Sequence, residues 1–141
     1  MNRGLVLAEW RRGLESLEAA KVLANQGWST DSISRAYYAT LHAAKAVLQV
    51  HGVVPESHSA VRRMFGLHLI QSGEVEKEWA TILAHTFDDR IVADYDVEVS
   101  FDENQALEEV NRAQNFQDRM REYLISKGFA SSELDLTRDP C

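Results

Sequence analysis

The 141-residue sequence has one cysteine, two prolines and no long apolar run, and each shortage excludes a class of protein. The single cysteine, Cys141, is the last residue, which excludes an intrachain disulfide and a cysteine-based metal or redox centre. No stretch approaches the roughly 18 to 20 apolar residues that a membrane span needs. Glu9, Arg11 and Arg12 interrupt the N-terminal segment before a secretory apolar core could form. We therefore expect a cytoplasmic protein that does not contact a membrane.

The common cofactor and catalytic motifs are also missing. The five histidines do not form H-E-x-x-H or another tight ligand pair, and Asp88 and Asp89 are adjacent rather than on one helical face. No G-x-x-x-x-G-K-[ST], G-x-G-x-x-G or G-x-S-x-G is present, so a phosphate-binding loop, a dinucleotide fold and a serine hydrolase lack support. From the sequence we expect neither a metal site nor a cofactor.

The residues that are present indicate one folded domain with an uneven charge. Apolar residues make up 45% of the chain and charged residues 26%, which is typical of a globular protein. Residues 1–70 carry eight Lys/Arg against five Asp/Glu, and residues 71–141 carry seven against seventeen, so the two halves carry +3 and −10. Because an acidic surface repels phosphate backbones, we expect no general DNA binding, and RNA contact only at a local basic cleft.

Apolar residues recur at helical spacing along nearly the whole chain, with glycines at the ends of the segments. The pattern predicts helices over about 4–25, 30–51, a short segment between Pro55 and Gly73, 74–92, and a last helix that Ser100 or Asp102 caps and that ends near Gly128. The alanines of the second helix favour close approach by a neighbouring helix. We predict an all-α fold, a five-helix antiparallel up-and-down bundle over residues 1–128, with a flexible C-terminal tail over 129–141.

One arginine stands alone in the most acidic part of the chain. Residues 85–104 contain seven acidic residues and a single Arg or Lys, Arg90. The inner stripe of the fourth predicted helix runs from Trp79 through Thr86 to Arg90 and then to Asp94. An arginine on a buried face needs a partner, because an unpaired buried charge costs about 3 to 5 kcal/mol. Two interpretations follow: an ion pair with Asp94 fixes the end of the helix, or Arg90 faces a crevice and binds phosphate.

A second candidate surface lies on the second predicted helix. Arg35, Tyr38 and His42 are spaced three and four residues apart, so they share one face, whereas Tyr37 points into the core. An arginine beside aromatic rings favours the stacking of bases. The alternative is that Tyr38 lies at a helix interface with its hydroxyl hydrogen-bonded and that Arg35 pairs with a carboxylate.

Three segments resemble the prokaryotic HEPN domain, in its small stand-alone branch: "SRAYYATLHAAKAVL", "PESHSAVRRMFGLHLIQSGEV" and "RIVADY", followed by a final amphipathic helix. The resemblance covers about residues 5–127. It implies a five-helix bundle, often a homodimer, that is commonly encoded beside a minimal nucleotidyltransferase as a toxin and antitoxin pair. Many members of the family are metal-independent ribonucleases in which an arginine is followed, four to six residues later, by histidine at the dimer cleft.

Arg90 occupies the arginine position of that motif, and Asp94 and Tyr95 stand where the histidine is expected. Cleavage by 2′-hydroxyl attack needs an acid and a base near neutral pH, which histidine supplies more readily than aspartate or tyrosine.

Our leading hypothesis is therefore an RNA- or nucleotide-binding and interaction module. The candidate site residues are Arg90, Asp94 and Tyr95 in the cleft, with Arg35, Tyr38 and His58 as RNA- or nucleotide-binding residues. An active ribonuclease toxin and a purely structural dimerisation protein remain as alternatives.

Overall fold

The computed structural model describes residues 1–135, which form five α-helices and two short helical turns. The helices are Arg3–Asn25 (α1), Ser29–Val50 (α2), His58–Phe65 (α3), Lys77–Tyr95 (α4) and Glu103–Ser126 (α5). A π-helical turn, Gly66–Ile70, continues α3, and a 3₁₀ turn, Ser131–Leu134, follows α5. The described part of the chain contains no strand, so the predicted all-α, five-helix fold is confirmed.

The central helix of the bundle is α2, which packs against α1, α4 and α5. Its residues Ala36, Ala39 and Ala43 are completely buried, and their small side chains allow α1 to approach closely. At the crossing with α1, a Cβ atom added to Gly13 would lie 3.2 Å from the carbonyl oxygen of Ala39. Gln117 of α5 donates a hydrogen bond of 2.8 Å to the carbonyl of Gly13. The same amide nitrogen lies 3.4 Å from the carbonyl oxygen of Ala39, so one polar side chain links α5 to both helices at their crossing.

Helix α4 lies later in the chain than the predicted range of 74–92. Glu76 precedes the helix in an extended conformation, and Trp79 donates a hydrogen bond of 3.0 Å to its carboxylate. The helix then continues to Tyr95, because neither glycine nor proline interrupts it. As a result, Arg90, Asp94 and Tyr95 all belong to one continuous helix.

The start of α5 is fixed by a capping box. The side chain of Asp102 accepts a hydrogen bond from the backbone N–H of Gln105, and the side chain of Gln105 accepts one from the N–H of Asp102, both at 2.8 Å. Of the two caps that the sequence offers, Ser100 and Asp102, the structure uses Asp102.

The structure differs from the predicted flexible tail, 129–141, over its first seven residues. Phe129 and Leu134 are only 2% and 1% exposed. Trp10 of α1 donates a hydrogen bond of 2.9 Å to the carbonyl of Leu134, and Arg3 pairs with Glu133. Two isolated apolar residues give no periodic signal, which is why the sequence does not predict this packing. The rest of the predicted tail, 136–141, with Cys141, lies outside the described residues.

Among the helices of residues 1–135, none combines the length and the apolar character that a membrane crossing requires.

Candidate functional site

Arg90 lies in the last turns of α4, and only 13% of its side chain is exposed. Its Nη2 donates a hydrogen bond of 3.0 Å to the hydroxyl of Tyr38 on α2. Its Nε lies 2.8 Å from Oδ2 of Asp94, but the Nε–H is not aligned on that oxygen, so the contact is an ion pair without a hydrogen bond. Within residues 1–135 no acceptor pairs with Nη1. Arg90 therefore keeps a donor for a ligand.

Three aromatic rings surround the guanidinium group of Arg90. Its Cζ lies 5.7 Å from the ring centre of Tyr37, 5.6 Å from that of Tyr38 and 5.8 Å from that of Tyr95. Distances within about 6 Å are those of a cation–π contact. Tyr37 is buried, whereas Tyr95 is 70% exposed. The guanidinium group of Arg90 thus lies between the buried ring of Tyr37 and the solvent-exposed ring of Tyr95.

The charge of Arg90 is maintained in spite of its burial. Burial lowers the pKa of the guanidinium group, but the hydroxyl of Tyr38, which accepts its hydrogen bond, and the negative charge of Asp94 oppose this effect, and the net pKa is raised. A charged group with incomplete hydrogen bonding in a partly desolvated position is a suitable partner for an anion, because the anion is attracted more strongly there than in bulk water.

His58 approaches the same rings from the first turn of α3. Ser57 caps this helix by accepting a hydrogen bond of 3.1 Å from the N–H of Ala60. The imidazole of His58 lies 5.6 Å from the ring centre of Tyr37 and 6.2 Å from that of Tyr38. Burial lowers the pKa of His58, and the positive charge of Arg90 lowers it further. Near neutral pH this histidine is therefore mostly unprotonated and able to accept a proton.

A second histidine, His42, stacks on the ring of Tyr38, with ring centres 6.3 Å apart. Its Nδ1 lies 2.7 Å from Oε2 of Glu9 on α1, and Lys45 lies 3.2 Å from Oε1 of the same carboxylate. Because an ionised carboxylate only accepts hydrogen bonds, Nδ1 carries the proton. Glu9 thus fixes the orientation and the tautomer of His42, as a carboxylate orients a histidine in many active sites.

Replacing Glu9 with glutamine should reduce stability at neutral pH but not in acid. Burial raises the pKa of Glu9, but the hydrogen bond from His42 and the charge of Lys45 outweigh it, and the pKa lies below its ordinary value of 4.5. Stability from a lowered pKa is present above the unfolded pKa and is lost as the pH falls through the folded pKa.

Urea unfolding of the wild type and of Glu9→Gln at several pH values measures this pH dependence of stability. The free-energy difference between wild type and Glu9→Gln should be present at neutral pH and should shrink as the pH falls below 4.5. Glu15→Gln, at an exposed position of the same helix, is the control. A difference that does not change with pH would contradict the role of Glu9.

The structure brings together five of the six candidate site residues: Arg90, Asp94, Tyr95, Tyr38 and His58. The sixth, Arg35, is exposed and forms no hydrogen bond or ion pair with another described residue. The structure adds Tyr37, whose ring was predicted only as core, and Glu9, for which the sequence carries no signal because it lies on a different helix.

The five residues that the structure brings together, which we call the Arg90 cluster, do not line the cavity at the other end of α4. A cavity of about 650 Å³ lies at the other end of α4 and is lined by Glu74, Glu76 and Arg119, among others. Its side chains are mostly paired with one another: Arg119 with Glu76 at 2.7 Å, and Lys127 with Glu74 at 3.2 Å. The cavity at Glu74, Glu76 and Arg119 therefore offers few polar groups that are free to bind a ligand. We place the candidate site at Arg90 instead.

The fold and the arginine cluster define a class: a small all-α bundle with a partly buried, aromatic-flanked arginine late in its fourth helix. The family model for the HEPN domain matches residues 7–123 of the chain. The protein belongs to the HEPN domain family.

Several relatives have been given names that refer to toxins or only to a protein family. "Putative toxin MJ0605" of Methanocaldococcus jannaschii is 34% identical over 110 residues, which is 78% of this chain and 81% of the relative. "Putative toxin MJ0142" of the same organism is 30% identical over 88% of this chain and 84% of the relative. "UPF0332 protein PH1297" of Pyrococcus horikoshii is 49% identical, but over only 54% of each chain.

Proposed function

We propose that the protein is the RNA-binding, toxin-type member of a two-protein pair and that Arg90 is its phosphate-binding residue. The observation that carries the proposal is the position of Arg90, which has a free Nη1 donor and lies 5.6 to 5.8 Å from the rings of Tyr38 and Tyr95. Phosphate binds to the guanidinium group, and an unpaired base stacks on an aromatic ring, so this combination favours single-stranded RNA. The toxin names of two relatives and the family resemblance support the assignment to a toxin pair.

We propose further that the protein acts as a homodimer and that the Arg90 surface lies in the cleft between subunits. The end of α4 and the segment after it expose a group of apolar side chains that an interface would cover: Ile91, Tyr95, Val97 and Val99, of which Val97 is 97% exposed. Light scattering should then report about 32 kDa, twice the 16.0 kDa of one chain. A monomer at micromolar concentration would exclude a shared cleft.

The proposed protein partner is a minimal nucleotidyltransferase, as the family resemblance implies. Purifying the protein together with the product of a neighbouring nucleotidyltransferase gene tests this, as does growth on induction with and without that gene. Toxicity that the second gene does not relieve would count against the pair.

Binding to RNA is tested by fluorescence anisotropy with a labelled single-stranded RNA and a double-stranded DNA of equal length. The net charge of −7 opposes binding to long nucleic acids, so we expect RNA to bind through a few phosphates, with a shallow dependence on salt. Equal affinity for the duplex would argue against a site that stacks unpaired bases.

Cleavage of the RNA is a second candidate function, and the two histidines beside Tyr38 favour it. In this reaction the 2′-oxygen forms a bond to phosphorus, a base takes the hydroxyl proton, and an acid protonates the departing 5′-oxygen as its bond to phosphorus breaks. His58, which is mostly neutral, is suited to the role of base. The orientation of His42 by Glu9 makes it the candidate acid, although Asp94 and Tyr95 occupy the positions of the histidine motif.

If the protein cleaves RNA, His58→Gln should lower the rate by about 10²- to 10⁴-fold, a larger factor than its effect on RNA binding, because general acid and base catalysis is worth that much. His68→Gln, outside the cluster, is the control for the loss of a histidine. Gel analysis of RNA incubated in the presence of EDTA measures the rate. If the wild type binds RNA without cleaving it, the protein is a binding module; if it neither binds nor cleaves, only the structural hypothesis remains.

A further inference from the structure

A cluster of one histidine and two carboxylates lies between α4 and α5, apart from the contacts of Arg90. Nε2 of His85 lies 3.0 Å from Oδ2 of Asp89, one turn further along α4, and 3.4 Å from Oε1 of Glu109 on α5. One candidate ligand atom from each residue lies within 4.8 Å of the other two. The i, i+4 spacing of His85 and Asp89 is visible in the sequence, but the approach of Glu109 is produced by the packing of the two helices.

These separations fit the coordination of a small divalent cation. Zinc binds nitrogen and oxygen ligands at about 2.0 to 2.1 Å, so two ligands of a tetrahedral site lie roughly 3.3 Å apart. The distances of 3.0 and 3.4 Å from Nε2 to the two carboxylate oxygens are close to that value. A mixed set of imidazole and carboxylate ligands favours Zn²⁺ or another first-row cation over Mg²⁺ or Ca²⁺, which prefer oxygen alone.

The state of Glu109 is the independent observation that points to a ligand. Its side chain is 2% exposed, and its Oε2 is buried and accepts no hydrogen bond from residues 1–135. The other oxygen, Oε1, is the one that lies 3.4 Å from Nε2 of His85, and it also accepts a hydrogen bond of 2.7 Å from Arg112. A buried carboxylate oxygen without a partner is costly, since its desolvation is not compensated. Glu109 also lines a cavity of about 240 Å³ together with His85 and Asp89, which gives room for an ion and its water.

We propose that His85, Asp89 and Glu109 form a binding site for a divalent transition metal, of which Zn²⁺ is the best match. Two ligands come from α4 and one from α5, so the ion links the helix that carries Arg90 to the last helix of the bundle. Water occupies the remaining coordination position on the side of the cavity. Arg112 holds Glu109 through Oε1 and acts as a positioning residue. The role is structural, and it does not depend on RNA binding by Arg90.

The competing explanation is that His85 is protonated and simply pairs with the two carboxylates. Both explanations place the same atoms together, but only the metal site predicts saturable binding of one cation for each chain. The full-length protein is stripped with EDTA, dialysed and titrated with Zn²⁺ by calorimetry. Co²⁺ is the spectroscopic probe, because four-coordinate Co²⁺ bound to nitrogen and oxygen absorbs visible light strongly.

The variants Asp89→Asn and Glu109→Gln each remove one ligand charge and keep the shape of the side chain. We expect each to weaken Zn²⁺ binding by more than about tenfold, because changes merely in the outer shell of metal sites already cost 10- to 100-fold. Asp88→Asn is the matched control: it removes the same charge one residue away, from a side chain that faces Arg62 at 3.6 Å and takes no part in the cluster. Binding to this control should equal that of the wild type.

A thermal melt provides the second measurement. At the same Zn²⁺ concentration the Tm of the wild type and of Asp88→Asn should rise, and that of Asp89→Asn should rise less, because a ligand that binds only the folded state stabilises it in proportion to the logarithm of its affinity. If Glu109→Gln fails to fold in EDTA, the partly exposed Asp89 still decides the question. The proposal is wrong if Zn²⁺ binds with no defined stoichiometry, or if Asp89→Asn binds it as tightly as Asp88→Asn does.

Discussion

Replacing Arg90 with alanine is expected to weaken the binding of single-stranded RNA by about 10- to 100-fold, with the helical content unchanged. A hydrogen bond to a charged group contributes about 1.5 to 3 kcal/mol, and each 1.4 kcal/mol is a factor of ten in affinity. Arg90 offers such bonds, since its Nη1 has no acceptor among the described residues, and the hydroxyl of Tyr38 holds the guanidinium group in place at 3.0 Å. Fluorescence anisotropy at constant salt gives the two dissociation constants.

Two further variants test whether RNA binding depends on the shape and position of the Arg90 side chain or only on its positive charge. Arg121→Ala removes one positive charge from α5, where Arg121 pairs with Asp135 at 3.0 Å, and should leave RNA binding almost unchanged. Arg90→Lys keeps the charge but loses the planar group that contacts Tyr38 and a phosphate together, so we expect intermediate affinity. If Arg121→Ala and Arg90→Ala weaken binding equally, the protein binds RNA by its overall charge and Arg90 has no special role.

Replacing Tyr37 with alanine is expected to cost about 3 to 5 kcal/mol of unfolding free energy, the range for removing a large buried aromatic side chain. Tyr37 is 1% exposed and its ring contacts the rings of Tyr38, His58 and Phe87 at centre distances of 5.4 to 5.6 Å. It therefore joins α2 to α3 and α4 beneath the Arg90 cluster. Urea unfolding followed by circular dichroism measures the loss, and weaker RNA binding should accompany it.

Tyr37→Phe is the matched control for that substitution. The hydroxyl of Tyr37 is buried and has no hydrogen-bond partner within the described chain, and burial raises its pKa, so it stays protonated. Removing a buried polar group that has no partner should leave stability unchanged or increase it slightly. A loss above about 1 kcal/mol would show that the hydroxyl has a stabilising partner.

The sequence predicts the helices well because each has its own apolar period. It also predicts that Arg90 lies on the buried stripe of α4, and the ion pair with Asp94 at i+4 follows from helical spacing alone. What local spacing does not predict is contact between helices. The hydrogen bond from Arg90 to Tyr38 joins residues 52 positions apart, and the approach of His58 depends on where α3 packs.

The cluster of His85, Asp89 and Glu109 is another contact between helices that local sequence spacing does not predict. A search for tight ligand pairs in the sequence favours no metal site, although His85 and Asp89 lie one helical turn apart. Glu109 joins them only because α4 and α5 pack together. Glu109 lies within α5, a helix with many polar residues, and its sequence context does not indicate that it is buried. In the structure, however, Glu109 is only 2% exposed. Only the tertiary structure shows that Glu109 is buried while its neighbour Glu108 is exposed.

RNA binding by the Arg90 cluster can be observed directly in an NMR titration of the protein with a short single-stranded RNA. The protein is labelled with ¹⁵N and ¹³C, and the side-chain Nε–H of arginine and the ring C–H groups of tyrosine and histidine are followed. We expect the largest shifts at Arg90, Tyr38 and His58, and we expect them to be lost in Arg90→Ala. Shifts centred instead on the cavity at Glu74 and Arg119, or no shifts at a saturating RNA concentration, would contradict it.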